Sequence, residues 1–76
     1  MVKTIVKNSI KITPYITRMP SAHIWFDYDK KADVVYISFE KPQRSTDTEV
    51  LDNGVLIRKR KDKVVGLTII NASKRA

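Results

Sequence analysis

The sequence predicts a small, mainly β protein: an antiparallel β-meander of about four strands, with an N-terminal arm placed to add an edge strand. Three observations carry this. Val, Ile, Thr and Tyr are common, whereas the strong helix formers Ala, Leu and Glu are scarce. No window shows a sustained i, i+3, i+4, i+7 apolar pattern. Several short stretches alternate apolar and polar residues, and turn-forming residues bound them.

Residues 1–22 read as the arm and residues 23–76 as one small β domain. Within the arm, KTIVKNSIKI (residues 3–12) is the first candidate strand, with Asn8 and Ser9 interrupting its alternation. Pro14 and Pro20 bracket the next piece and confine it to a short or edge role. HIWFDY (23–28) is expected as a strand with Ile24, Phe26 and Tyr28 on one face. DKKAD (29–33) is its turn, and VVYISFE (34–40) the returning strand, with Val35, Ile37 and Phe39 sharing a face. The run 41–49 has Pro42, many polar residues and no apolar one, so it reads as a loop. Asn53-Gly54 marks a tight turn, because both residues tolerate positive φ. VLIRKRK (55–61) and VVGLTIIN (64–71) form a second hairpin around Lys61-Asp62-Lys63. Whether Val55 and Ile57 or Leu56 faces the core is open at this stage. Residues 71–76 form a polar tail with room for one helical turn.

Seventy-six residues make one domain with a thin core. Cores of this size rarely supply more than about 3–5 kcal/mol without a staple. Cysteine is absent, so no disulfide or thiolate metal site helps. Association with a second copy is the remaining common staple, and a homodimer is expected on that ground. The lack of cysteine fits a reducing compartment. No apolar h-region marks a signal peptide, and no stretch approaches a membrane span. The expectation is a cytoplasmic protein with no membrane partner.

The net charge of +7 is unevenly spread. Residues 1–22 carry Lys3, Lys7, Lys11 and Arg18 with no acid. Residues 23–52 carry four bases against seven acids, and residues 53–76 seven bases against Asp62 alone. Basic ends around an acidic middle suggest an anionic partner or complementary self-association.

Asp27, Asp29 and Asp33 are the first candidate site. A calcium loop starting at Asp27 would need an oxygen ligand at Lys31, glycine at Ala32 and Glu at Ser38, so the match fails. A short turn beside two lysines is also too wet for paired-carboxylate chemistry. Asp29 and Asp33, with Asn53 and Gly54, are therefore read as turn-forming. His23 is the sole histidine, too few for the usual zinc sets, and no motif supplies a nucleophile for it. No metal, cofactor or catalytic residue is assigned, and the protein is expected not to be an enzyme. Arg58, Lys59, Arg60, Lys61 and Lys63 form the best candidate for a nucleic-acid or anion site. Trp25, Tyr28 and Tyr36 would stack bases if they shared an exposed face. The plainer reading is a lysine-rich hairpin tip that discourages edge pairing. Trp25, Phe26 and Tyr36 read first as core or interface residues.

The order of short motifs over residues 26–73 is distinctive. Tyr28-Asp29-Lys30-Lys31-Ala32-Asp33 is followed by Tyr36-Ile37, Glu49-Val50 and Gly54-Val55-Leu56-Ile57. Val64-Val65-Gly66-Leu67 and Asn71-Ala72-Ser73 complete the series. This resembles domain-of-unknown-function family 2283, a set of small bacterial and archaeal proteins. The resemblance implies a fold and supplies no activity. Genomic association of such proteins with small toxin-like partners implies an antitoxin-type role for some members. Residues 1–22 lie outside the pattern, and the bases at 58–61 stand where such proteins are usually acidic or mixed. The leading functional expectation is a non-enzymatic interaction protein that binds a protein partner through a sheet edge or the arm. The alternative is a small nucleic-acid-binding module using the basic 58–63 hairpin.

Overall fold

The computed structural model describes residues 1–75, and Ala76 lies outside them. Its elements run α1 (Val2–Ile16), β1 (Trp25–Asp29), β2 (Val34–Ser38), β3 (Asp47–Val50), β4 (Val55–Arg60), β5 (Lys63–Ile70) and a 3-10 turn at Ala72–Lys74. The strands form one antiparallel sheet in the order β1-β2-β5-β4-β3.

Both expected hairpins form, each around a residue in the left-handed region. Asp33 closes the β1–β2 turn at φ 56°, and Lys61 sits between β4 and β5 at φ 58°. The protein is small and mainly β, as the residue pattern predicts, with five strands rather than about four. The order is not that of a simple meander. β3, β4 and β5 follow one another, but β2 joins them by pairing with β5. Residues 39–46 therefore carry the chain from β2 to the far edge of the sheet.

Two expectations are corrected. The arm adds no edge strand: residues 2–16, including the candidate strand 3–12, are helical. Its β-branched residues favour strands but do not forbid a helix. Lys3, Lys7 and Lys11 recur every four residues, as do Val2, Val6 and Ile10, and that spacing suits a helix. Pro14 falls in the last turn, where it removes one i→i−4 hydrogen bond and only two helical residues follow it. The second correction concerns 41–49, read as a loop. Residues 47–50 pair with β4, from Asp47 opposite Lys59 to Val50 opposite Leu56. All four β3 side chains are exposed, so this edge strand carries no apolar alternation to reveal it.

The core is thin. Val34, Ile37, Phe39 and Val65 are its buried apolar residues, joined by Thr68. The Phe39 N–H donates to the Val65 carbonyl at 3.0 Å, extending the pairing past the end of β2. β4 opposes β5 with an irregularity between Arg58 and Lys59. α1, by contrast, buries none of its residues. The radius of gyration is 13.4 Å, where a compact domain of this length would have about 11 Å. The longest dimension is 41 Å. No helix among the described residues is long and apolar enough to cross a membrane.

Candidate interaction surfaces

The turn residues assemble one staple. Asp29 Oδ1 accepts from the Ala32 N–H at 3.2 Å. Asp33 is more central: its Oδ1 accepts from the Tyr28 hydroxyl at 2.8 Å and the Ser73 N–H at 3.0 Å. Its Oδ2 accepts from the Ser73 hydroxyl at 2.8 Å, and its carbonyl from the Ala72 N–H at 2.9 Å. The Ser73 and Tyr28 hydroxyls hold the Asp33 carboxyl below its ordinary range, and the same contact raises the Tyr28 phenol. A carboxylate of low basicity that already accepts the serine proton does not activate Ser73 as a nucleophile. The arrangement ties the first hairpin to the end of β5. Asn71, at φ 56°, makes the corner that brings Ser73 back.

The second turn is built alike. Asn53 Oδ1 accepts from the Val55 N–H at 3.3 Å, and Gly54 takes φ 81°. Arg75 closes over it, donating to the carbonyls of Asn53 and Ile70. Asp27 is exposed on β1. Among the described residues, no group of three or more His, Cys, Asp or Glu is placed to hold a metal ion.

The basic hairpin is largely engaged with its own sheet. Arg60 and Glu40 form a two-pronged ion pair, with Nη2 to Oε2 at 2.6 Å, and Lys63 Nζ reaches the same Oε2 at 3.2 Å. Hydrogen bonding from Arg60 pulls the Glu40 carboxyl down to about 2. Lys59 Nζ meets Glu49 at 2.9 Å, which raises the ammonium. Arg58 and Lys61 take part in no ion pair among the described residues. The aromatic residues do not form a single platform. The register puts Phe26 and Tyr28 on one face of the sheet, and Trp25 and Tyr36 on the other. Trp25 is stacked by His23, with ring centroids 6.4 Å apart, and Lys41 Nζ lies 5.9 Å over it.

The register also settles the faces. Phe26, Ile37, Leu67 and Ile57 lie in one cross-strand row, and Tyr28, Val35, Ile69 and Val55 in the next. Val55 and Ile57, not Leu56, thus belong to this face. Eight apolar side chains cross four strands without a polar interruption; Ile37 is buried and Val35, Leu67, Ile69, Val55 and Ile57 are half-buried, but Phe26 is 52% and Tyr28 50% exposed. The opposite face is mixed, with Tyr36, Thr68 and Leu56 in one row and Ser38, Gly66 and Arg58 in another. There Gln43, from the crossing segment, donates to Ser38 Oγ at 2.9 Å and lies against Gly66.

α1 is the other uncovered apolar surface. At 100° per residue, Val2, Ile5, Val6, Ile10, Ile12 and Ile16 share one side, and Lys3, Lys7 and Lys11 line another. Ile5 is 61% and Ile10 65% exposed. Ser9 and Thr13 fall among the apolar residues, but their hydroxyls donate back to the carbonyls of Ile5 and Ser9, each at 2.8 Å. The apolar side therefore presents no unmet donor. The recurrence of lysine and of valine or isoleucine every four residues is the sequence signal that would have found this surface.

The chain belongs to the family described as Protein of unknown function (DUF2283), whose model matches residues 25–73. The matched span covers the sheet and the Asp33–Ser73 staple and leaves α1 outside. No curated protein and no solved structure matches the chain.

Proposed function

We propose that this chain is a non-enzymatic interaction module that grips a protein partner through α1, with the sheet as its rigid base. The observation that carries this is a helix of 15 residues with none buried. Isolated helices of this length are marginal in water even when rich in alanine, and most helical stability comes from packing an apolar face. α1 is rich in β-branched residues, has no side-chain N-cap, no acid in its first turn and no base in its last. Its stability therefore calls for a surface that its own sheet does not supply. In the same reading the protein is cytoplasmic and rests as a homodimer. The antitoxin-like role that family context implies would be exercised by α1 on a partner.

The test is recovery of the tagged full chain from its own cells, with and without nuclease, beside an Ile10→Asp variant. The reading expects a stoichiometric protein that survives nuclease and is lost with the variant. Recovery of nucleic acid alone, lost at raised salt, would overturn it in favour of Arg58, Lys59, Arg60, Lys61 and Lys63.

A further inference from the structure

We infer that α1 of one copy lies across the apolar sheet face of a second copy, and the second copy's α1 across that of the first. This rests on the reading of α1 as a docking helix and names what covers it in the resting protein.

Each chain has one helix without a sheet and one sheet face without a second layer. An antiparallel sheet with an apolar face is stable when helices or another sheet cover that face. The dimensions agree. A 15-residue helix is about 22 Å long. Five strands at roughly 4.8 Å spacing span about 19 Å. The helix is long enough to cross from β1 to β3.

The charges agree as well. Residues 1–22 carry four bases and no acid. β3 places Asp47 and Glu49 on the apolar side of the sheet, since they are two apart and Glu49 opposes Ile57. Both are exposed; Glu49 already pairs with Lys59 at 2.9 Å, and Asp47 joins no ion pair among the described residues. With α1 crossing the strands, one end of its lysine row reaches the acidic edge at β3, where Asp47 is free to pair, while the apolar surfaces meet along the rest.

The end of α1 favours a second copy over the chain's own sheet. The N–H groups of Thr17, Arg18 and Met19 donate to the carbonyls of Thr13, Tyr15 and Ile16. These bonds fix the turn, with Ile16 at its start and Met19 and Ile24 after it half-buried. With that turn set, α1 stands away from its own sheet and leaves both surfaces free for reciprocal exchange.

The experiment is sedimentation equilibrium of the purified full chain and two variants, Ile10→Asp on α1 and Phe26→Asp on the sheet face. Both positions are more than half exposed in the single chain, so both variants keep the sheet fold, checked by far-UV circular dichroism. Wild type is expected to be dimeric. Each variant alone has both contacts damaged and should dissociate about 100-fold more readily, the equivalent of tenfold per contact. An equimolar mixture of the two should recover heterodimer, because one good α1 then meets one good sheet. Raised salt and the triple variant Lys3→Glu, Lys7→Glu, Lys11→Glu should weaken the wild-type dimer. A wild-type monomer at all concentrations would overturn the inference. So would a dimer indifferent to Ile10→Asp, which pairs sheets, or one indifferent to Phe26→Asp, which pairs helices. Failure of the mixture to recover dimer would also overturn it. A monomer whose α1 still captures a different protein leaves the docking reading standing and removes only the exchange.

Discussion

The sheet and α1 are both rich in Ile, Val and Thr, yet they hold their shape by different means. In the sheet, each strand has a partner, and side chains fasten the turns: Asp33 to Tyr28 and Ser73, Arg75 over Gly54, and Arg60 and Lys63 onto Glu40. In α1, the hydroxyls of Ser9 and Thr13 bond only to the helix itself, and no residue is buried. Composition alone does not separate the two regions. What separates them is whether the apolar residues find a surface within the chain. The family match stops where that internal support stops, leaving α1 outside it.

The largest way to test this contrast is to empty the core on one side and the helix face on the other. Phe39 is 5% exposed, and Phe39→Ala should cost roughly 3–5 kcal/mol. That equals the whole stability expected of so small a core, about 3–5 kcal/mol. Chemical denaturation should find the variant largely unfolded at 25 °C. Ile10→Asp, followed at concentrations low enough for monomer, should leave the unfolding midpoint of the sheet unchanged. A comparable loss from Ile10→Asp would show that α1 is held by its own chain.

Next comes Gly66, where a Cβ would sit 2.0 Å from Gln43 Nε2 and 2.9 Å from the Ile37 carbonyl oxygen. Gln43 can swing aside, but the backbone of β2 cannot. Gly66→Ala should therefore cost about 1–3 kcal/mol by overpacking, seen as a lower denaturation midpoint. Removing the Gln43 side chain as well should recover only part of the loss. Smaller and opposite in sign is Thr68→Val. The Thr68 hydroxyl is buried and has no hydrogen-bond partner among the described residues. An isosteric apolar residue should raise stability by about 1 kcal/mol, whereas Thr48→Val on exposed β3 should change little.

The sheet was legible where local chemistry coincided with global pairing. Asp29, Asp33, Asn53 and Gly54 mark turns by their backbone tolerance, and the strands between them alternate. β3 was not legible, because an edge strand with four exposed side chains is defined by its partner's backbone. α1 was misread because its β-branched residues outweighed a lysine recurrence at helical spacing. The basic run 58–61 showed its charge but not its engagement. Glu40 and Glu49 lie 20 and 10 positions from Arg60 and Lys59, and only the sheet brings them together. The apolar face was half visible: Phe26 with Tyr28, and Val35 with Ile37, were paired correctly. The choice between Val55 with Ile57 and Leu56 required the register with β5.

Acid separates the two regions by what they have to titrate. α1 contains no acidic residue, so lowering the pH changes none of its charges. The sheet depends on carboxylates held ionised by their partners. Glu40 falls from 4.5 to about 2, chiefly through Arg60, and Asp33 is also lowered, chiefly through Ser73. A depressed folded value means that the unfolded chain binds the proton more readily. The contribution is therefore complete above about pH 4.5, declines as the pH falls, and is gone near pH 2. Both carboxylates are open enough to water for screening to discount most of the gain, which places this effect last. The expected result is a melting temperature flat at neutral pH that falls below pH 4.5, with Glu40→Gln lowering the neutral value and flattening the slope. An unchanged slope in Glu40→Gln would assign the acid sensitivity to Asp33 and leave the Arg60 pair without a part in holding the crossing segment down.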